Sequence, residues 1–97
     1  MIWFVSRHPG AVEWALRQGL SWDVFRTHLD AEAVRAGDRV LGTLPPRLAA
    51  DVCAAGAEYW HLEVPMRADW RGRELSADQL ETAGARLVRF EVRRVET

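Results

Sequence analysis

Strand-like and helix-like segments alternate along the chain, and this order constrains the fold more than any other feature of the sequence. Short apolar or alternating runs predict five strands, at residues 1–6, 23–29, 39–43, 58–64 and 85–95. Helical periodicity and cap residues predict helices at residues 9–19, 48–56 and 76–84, with a short helical turn at 30–34. Such alternation predicts a small Rossmann-like α/β fold, in which helices cover both faces of a mainly parallel sheet. Because the last strand has one polar face, we expect it to be an antiparallel strand at the sheet edge.

Length, cysteine content and hydropathy narrow the class of protein. The 97 residues are expected to form one domain over residues 1–97. A single cysteine, Cys53, cannot form an intramolecular disulfide, which favours a cytoplasmic location. No apolar run is long enough to cross a bilayer, so no membrane partner is expected. Motifs such as CxxC and HxxxH are absent, so we expect neither a metal site nor a cofactor.

All 13 basic residues are arginine, and they are balanced by 14 acidic residues. The resulting net charge of −1 argues against duplex nucleic acid as a partner. Without lysine, the chain has neither a Schiff-base nucleophile nor the lysine of a P-loop. Guanidinium groups are suited to bidentate contacts with phosphate, although codon usage in a GC-rich genome is the simpler explanation for most of them.

Two loops that follow predicted strands contain the residues best suited to chemistry. They are Ser6-Arg7-His8-Pro9-Gly10 and Gly42-Thr43-Leu44-Pro45-Pro46. Each loop leads from the carboxyl end of a strand into a helix, whose N–H groups and dipole attract anions. If the two strands are neighbours, both loops border one site. The sequence therefore predicts a phosphate site formed by the hydroxyls of Ser6 and Thr43, the Arg7 guanidinium and the His8 imidazole.

Each of these residues also has a purely structural interpretation. Helix capping is the preferred interpretation of Ser6 or Thr43 taken alone, and close backbone packing is an alternative for Gly42. Arg7 is compatible with an ordinary surface charge, and His8 with an ordinary loop residue. What favours a site is the occurrence of two such loops in so short a chain. The GxGxxG fingerprint is absent, as is an acidic residue placed to hold a ribose, which argues against a dinucleotide site.

Several candidate residues lie outside the two loops. His28 ends another predicted strand and is expected to border the same cleft, whereas His61 is interpreted as a structural residue. Trp70 either stacks on a nucleotide base or anchors its own loop. The neighbouring Arg71 and Arg73 either close over a ligand or remain solvated.

Four segments, which together cover nearly the whole chain, carry a resemblance to a known family. They are SRHPGAVEWALRQG at residues 6–19, HLD at 28–30, GTLPPRLAADVCAAGAEYWHL at 42–62 and RGRELSADQLETAGARL at 71–87. These segments resemble the small CRISPR-associated family numbered sixteen in the Csx series. Its members often have Thr in place of Ser6, which preserves a hydroxyl, and usually an apolar residue in place of Pro46.

The resemblance implies a CARF-like fold and the function of a ring nuclease in type III CRISPR systems. Such a protein is a homodimer that binds a cyclic oligoadenylate second messenger, with cyclic tetra-adenylate as the expected ring. It opens the ring without a metal, by in-line attack of a ribose 2′-hydroxyl that leaves a 2′,3′-cyclic phosphate, and so switches off the antiviral signal. A sensor or sponge that binds the ring without cutting it is the alternative. A structural protein with protein contacts only is a third interpretation.

Carried over by position, the resemblance places the two loops against the ring. We expect Ser6, Arg7 and His8 to be catalytic. Ligand contacts are expected from Pro9, Gly10, His28, Gly42, Thr43, Leu44, Pro45, Trp70, Arg71 and Arg73.

Overall fold

The computed structural model describes residues 1–65, 68–70 and 72–96 and contains a five-stranded sheet. The strands are β1 (Ile2–Val5), β2 (Val24–Arg26), β3 (Arg39–Gly42), β4 (Glu58–Glu63) and β5 (Arg86–Phe90). Their order across the sheet is β2-β1-β3-β4-β5. The first three neighbouring pairs are parallel, and β4 pairs with β5 antiparallel. The predicted α/β fold, with a mainly parallel sheet and an antiparallel edge strand, is confirmed.

Three helices connect the strands. The first and third begin as predicted, at Pro9 and after the Ser76 cap, whereas the second begins at Pro46, inside the predicted break and ahead of the predicted start at residue 48, because proline is well suited to the first position of a helix. They are α1 (Pro9–Arg17), α2 (Pro46–Ala54) and α3 (Ala77–Ala83), with single 3₁₀ turns at Ala31–Ala33 and Ala68–Trp70. The hydroxyl of Ser76 accepts from the Gln79 amide while the Gln79 side chain accepts from the Ser76 amide, a capping box at the start of α3. Within the described ranges, none of the helices has the length and apolar character needed to cross a membrane.

A hydrophobic cluster lies on each face of the sheet, because successive strand residues point to opposite faces. One cluster joins α2 to the sheet and includes Trp3, Val5, Val40, Ala49, Val52 and Tyr59. The other joins α1 and α3 to the sheet and includes Phe4, Trp14, Ala15, Leu41, Leu62 and Leu80. Helices therefore cover both faces, as the alternating sequence predicts.

Two strands are shorter than their sequence patterns indicate. The predicted strand at 23–29 pairs only over Val24–Arg26, at one edge of the sheet. The predicted strand at 85–95 ends at Phe90, although the side chain of Val92 still packs against the α2 cluster. Alternation indicates which side chains face inward, but a strand also needs a neighbour to pair with. That neighbour, β4, ends its pairing with β5 at Tyr59 opposite Phe90.

The pair β1–β3 places the backbones of Val5 and Gly42 in direct contact. The two residues are partners in the parallel register, and a Cβ atom on Gly42 would overlap the carbonyl oxygen of Val5. Gly42 also has a φ of +144°, a conformation that side chains disfavour. Close backbone packing, the structural interpretation of Gly42, is thus present at the point where both loops leave the sheet.

Asp38 is a buried carboxylate at the opposite end of β3. One oxygen accepts from the Trp3 indole N–H at 3.1 Å and from the Arg35 amide at 2.9 Å, and the other pairs with the Met1 ammonium at 3.1 Å. These interactions, the Arg35 amide first, lower the pKa of Asp38 against the opposing effect of burial. The carboxylate therefore ties the loop before β3 to the start of β1.

We expect Gly42→Ala to destabilise the fold by about 3 kcal/mol or more, because it combines a positive φ with overlap against backbone. Gly19→Ala is the matched control, since Gly19 also has a positive φ but open space around its Cβ position, and it should cost about 1 kcal/mol. Urea unfolding of both variants measures the difference. Equal losses would show that the β1–β3 contact is not close enough to exclude a methyl group.

We expect the stabilisation from Asp38 to disappear in acid. Because its folded pKa lies below the ordinary value of 3.8, its contribution is present above that value and is lost as pH falls toward the folded pKa. Asp38→Asn should therefore be less stable than the parent near neutral pH, and the gap should narrow below about pH 4. Urea unfolding across this range provides the test, and a gap that stays constant with pH would contradict it.

Candidate functional site

An open cavity of about 310 Å³ lies at the carboxyl ends of β1, β2 and β3. Its lining residues come from three loops and the start of α2: Val5, Ser6, Arg7, His8, Thr27, His28, Leu29, Thr43, Leu44, Pro45 and Leu48. We call it the strand-end cavity. Both loops singled out in the sequence contribute to it, and so does His28.

The position of the strand-end cavity follows from the strand order. After β1 the chain crosses to β2 on one side of it, and β3 lies on the other side, so the order reverses between β1 and β3. Loops diverge at such a point and leave a crevice at the carboxyl ends of the strands, where open α/β sheets bind ligands. The predicted condition, that the two strands are neighbours, is confirmed by their parallel pairing.

The start of α1 is organised by Ser6. Its hydroxyl oxygen accepts from the His8 amide at 3.1 Å, a local turn that directs the chain into the helix. His8 occupies the N-cap position of α1 and makes no capping hydrogen bond with its side chain. Helix capping by Ser6 is therefore wrong as an alternative, because its hydroxyl holds the turn before the cap.

The start of α2 is organised from β4 by Tyr59. Pro45 is the N-cap, which excludes Thr43 as a helix cap. The Leu44 amide donates to the buried Tyr59 hydroxyl at 2.9 Å, and the same hydroxyl lies 2.7 Å from His61 Nδ1. Burial raises the pKa of Tyr59, which keeps its hydroxyl protonated and able to donate.

Side chains, more than amides, are available to a ligand in the strand-end cavity. The amides of Ser6, His8 and Leu44 are already bonded within the protein. Both helices also begin with proline, which has no N–H to offer. Arg7 is exposed and makes no ion pair within residues 1–65, 68–70 and 72–96.

The remaining predicted residues are dispersed. Pro9 and Gly10 do not line the strand-end cavity, and Gly10 instead lies under the carbonyl oxygen of Leu75, which leaves no room for a Cβ. Gly42 is buried against Val5, as described above. Trp70 belongs to the second 3₁₀ turn and is not among the lining residues. Arg71 lies outside the described residues.

A second cavity of about 300 Å³ adjoins the first and contains Arg73. Its lining residues are His8, Ala11, Thr43, His61, Leu62, Val64, Arg73, Glu74, Leu75 and Leu80. His8 and Thr43 line both cavities. Glu74 Oε1 lies 3.5 Å from His8 Nδ1 at the shared boundary, with both side chains largely exposed.

The sequence analysis missed the contribution of His61 and Glu74 to this region. His61 is hydrogen-bonded, as a structural histidine should be, but it also lines the second cavity. The sequence feature that could have indicated this role is the position of His61 near the end of a predicted strand. In the register of β3 and β4 it lies opposite Gly42. Glu74 lies before the Ser76 cap, in a connection whose path the sequence did not predict. Over the part of the chain that the structure describes, no cluster of His, Cys, Asp and Glu could hold a metal ion.

Comparison with protein families adds one finding to this geometry. Residues 3–93 match the family described as "Putative CRISPR-associated protein (Cas_VVA1548)". The chain belongs to this family. The match covers the lining residues of both cavities and every strand residue except Ile2. No curated protein and no solved structure matches the chain.

We expect Tyr59→Phe to destabilise the family member by about 1–3 kcal/mol, because it leaves the buried Leu44 amide without its acceptor. The substitution also frees His61 from its hydrogen bond at Nδ1. Thermal and urea unfolding measure the loss. A variant as stable as the parent would show that the hydroxyl does not hold the 42–46 loop.

Proposed function

We propose that the protein is a ring nuclease that binds a cyclic oligoadenylate in the strand-end cavity and opens it without a metal. The observation that carries the proposal is the meeting of Arg7, His8, His28 and Thr43 in one cavity at the strand-order reversal. The family match supports a role in CRISPR biology. The identity of the ligand is taken from the sequence resemblance, which implies cyclic tetra-adenylate as the expected ring.

Recognition of a phosphate is assigned to Arg7 and the Thr43 hydroxyl. An arginine fork presents two parallel N–H donors to phosphate oxygens, which a point charge cannot do. The positive ends of the α1 and α2 dipoles face the same region and add to this attraction. A chain with a net charge of −1 can thus bind a polyanion, because the positive potential is local.

Cleavage uses a nucleophile that the ligand carries. The ribose 2′-oxygen attacks the adjacent phosphorus, the bond from phosphorus to the 5′-oxygen breaks, and a 2′,3′-cyclic phosphate forms. The 2′-hydroxyl loses a proton and the departing 5′-oxygen gains one. Alignment of these atoms is worth several kcal/mol, up to about 7 or more in well-oriented reactions.

Two side chains assist this transfer in the proposal. Arg7 stabilises the charge that develops on the phosphate oxygens. His8 either accepts the proton of the 2′-hydroxyl or donates a proton to the departing 5′-oxygen, a contribution typically worth about 10²–10⁴ in rate. Its position at the N-cap of α1, beside Arg7 and with its ring exposed, supports this assignment.

A homodimer belongs to the proposal because one protomer offers too little space for a whole ring. At about 310 Å³ the strand-end cavity is at the lower end of the range for small-molecule sites, enough for part of a nucleotide ring. A two-fold axis through a symmetric ring would bring two copies of Arg7 and His8 to it.

A non-cleaving sensor or sponge is the second candidate function. It is favoured by the internal bonding of the Ser6, His8 and Leu44 amides, since these groups cannot stabilise a transition state without rearranging. The same cavity serves both functions. The two functions differ only in whether the bound ring is cleaved or remains intact.

We expect the protein to convert cyclic tetra-adenylate in EDTA into linear products that end in a 2′,3′-cyclic phosphate. Chromatography and mass spectrometry of the products provide the test. Intact ring at stoichiometric protein, together with a rise in melting temperature, would establish the sponge. No rise at any ligand concentration would exclude both functions and favour a protein that makes only protein contacts.

Arg7→Ala is the informative variant in this assay, and Arg93→Ala is its matched control. Both arginines are exposed and make no ion pair in the described ranges of the chain. Arg7→Ala should lower cleavage by at least about 100-fold, the loss typical of one charge-stabilising donor, whereas Arg93→Ala should leave it unchanged. Equal activity of the two variants would remove Arg7 from the mechanism.

A further inference from the structure

The three strands that border the strand-end cavity end at the same level of the sheet. Val5 of β1 is paired with Arg26 of β2 on one side and with Gly42 of β3 on the other. The Ser6 amide extends the first pairing by donating to the Arg26 carbonyl oxygen at 3.0 Å. Because neighbouring strands lie about 4.8 Å apart, the three loops that follow start within about 10 Å of one another. The cavity is therefore bounded by a loop from each of three strands.

Two of these loops bring a histidine to the strand-end cavity. His8 lies in the loop after β1, and His28 lies in the loop after β2. Both residues line the cavity, and both are exposed. Imidazole is the side chain best suited to gain or lose a proton near neutral pH. Two imidazoles that reach one cavity from different loops can serve the attacking and the departing oxygen of one reaction.

The two imidazoles differ in their surroundings. Nδ1 of His8 lies 3.5 Å from Glu74 Oε1, in the connection before α3, and this contact leaves Nε2 as the nitrogen for a ligand. Within residues 1–65, 68–70 and 72–96, the side chain of His28 makes no hydrogen bond or ion pair. Its ring can therefore meet a ligand without first breaking a contact to this part of the chain.

The proposed ring opening needs two proton transfers, and one imidazole supplies only one of them. The 2′-oxygen loses a proton as it attacks phosphorus, and the departing 5′-oxygen gains one. If one imidazole takes the first proton and the other gives the second, the protonation states of the pair are exchanged when the bond has broken. The pair is then set for the reverse direction of transfer, with water in the position that the 5′-oxygen has left.

We propose that His8 and His28 form an acid–base pair, through which the strand-end cavity also hydrolyses nucleoside 2′,3′-cyclic phosphates. Water attacks phosphorus and gives a proton to the neutral imidazole. The bond from phosphorus to the 2′-oxygen breaks, and the 2′-oxygen takes the proton of the other imidazole. The product is a 3′-phosphate, and both imidazoles return to their starting states. The inference rests on the proposed function in placing the scissile phosphate in the strand-end cavity.

The size of the cavity and its arginine suit this substrate. At about 310 Å³ the cavity is closer to the size of a mononucleotide than to that of a whole ring. The Arg7 guanidinium stabilises charge on the phosphate oxygens during either step. A single protomer can therefore carry out this reaction without a two-fold axis. In ring opening, the cyclic phosphate end forms first and is converted later, because the linear product can dissociate before water attacks.

Adenosine 2′,3′-cyclic phosphate and uridine 2′,3′-cyclic phosphate are the probes, because they share the cyclic phosphate and differ in the base. In EDTA the protein should convert both into the 3′-phosphate, which ³¹P NMR distinguishes from the 2′-phosphate. In ¹⁸O-labelled water the product should gain an ¹⁸O atom, which mass spectrometry detects. Adenosine 3′,5′-cyclic phosphate is the control and should persist, since its phosphate has no bond to the 2′-oxygen. Two intact 2′,3′-cyclic phosphates at stoichiometric protein would overturn the inference.

His28→Ala is the decisive variant. It should lower the rate of hydrolysis by about 10²–10⁴, the range typical of one general acid or base. Because His28 is exposed and its side chain is unbonded within the described ranges, the melting temperature should not change. A variant with the hydrolysis rate of the parent would remove His28 from the reaction.

Imidazole added to the buffer separates proton transfer from a structural role of His28. It should restore part of the activity of His28→Ala, because it replaces the missing group. Arg7→Ala is the matched control, since it also lowers activity but lacks a guanidinium, which imidazole does not replace. An equal response of the two variants to imidazole would contradict the acid–base pair.

The pH dependence of kcat/KM provides a second readout. The parent should show a bell-shaped profile, because one imidazole must be protonated and the other neutral. His8→Ala and His28→Ala should each lose one limb of the profile. The charged and titratable residues that line the two cavities beside the pair are Arg7, His61, Arg73 and Glu74. Two limbs retained in both variants would assign the proton transfers to groups other than this pair.

The results also separate this inference from the proposed function. A parent that hydrolyses the nucleoside cyclic phosphates but leaves cyclic tetra-adenylate intact would refute the ring nuclease and keep the acid–base pair. A parent that opens the ring but leaves the nucleoside cyclic phosphates intact would keep the ring nuclease and refute the further activity.

Discussion

The parallel pairing of β1 with β3 is the constraint on which the rest of the structure depends. It brings Val5 and Gly42 into register at the carboxyl ends of the two strands. The backbones approach closely there because Gly42 has no side chain. As a result, the two loops that follow leave the sheet side by side, and their polar residues share one cavity. Any element inserted between β1 and β3 would separate the loops and remove the site.

Tyr59 connects the core to both cavities. Its ring lies in the cluster under α2, and its hydroxyl contacts the Leu44 amide on one side and His61 on the other. The loop that borders the strand-end cavity and the histidine that borders the second cavity are therefore positioned by one buried group. Buried hydrogen-bond networks of this kind fix a single arrangement, because any partner left unpaired is costly.

The order of elements and the meeting of the two loops were predictable from the sequence, because they depend on local patterns and on the topology of parallel sheets. Residues such as Pro9, Ser76 and Gly84 mark helix ends through their own backbone preferences. The roles of Gly10 and His61 were not predictable, since both depend on what packs against them from distant segments. The early end of β5 was missed for the same reason, because alternation persists beyond the last pairing partner.

The buried Asp38 carboxylate lies just before β3, and the 42–46 loop lies beyond the other end of the same strand. This anchor and the strand-end cavity are therefore separated by the length of a strand. Substitutions around the cavities leave the hydrogen bonds of Asp38 intact, so the loops can vary in sequence while the scaffold persists. Stability and the chemistry of the strand-end cavity can therefore be altered independently, by substitutions near opposite ends of one strand.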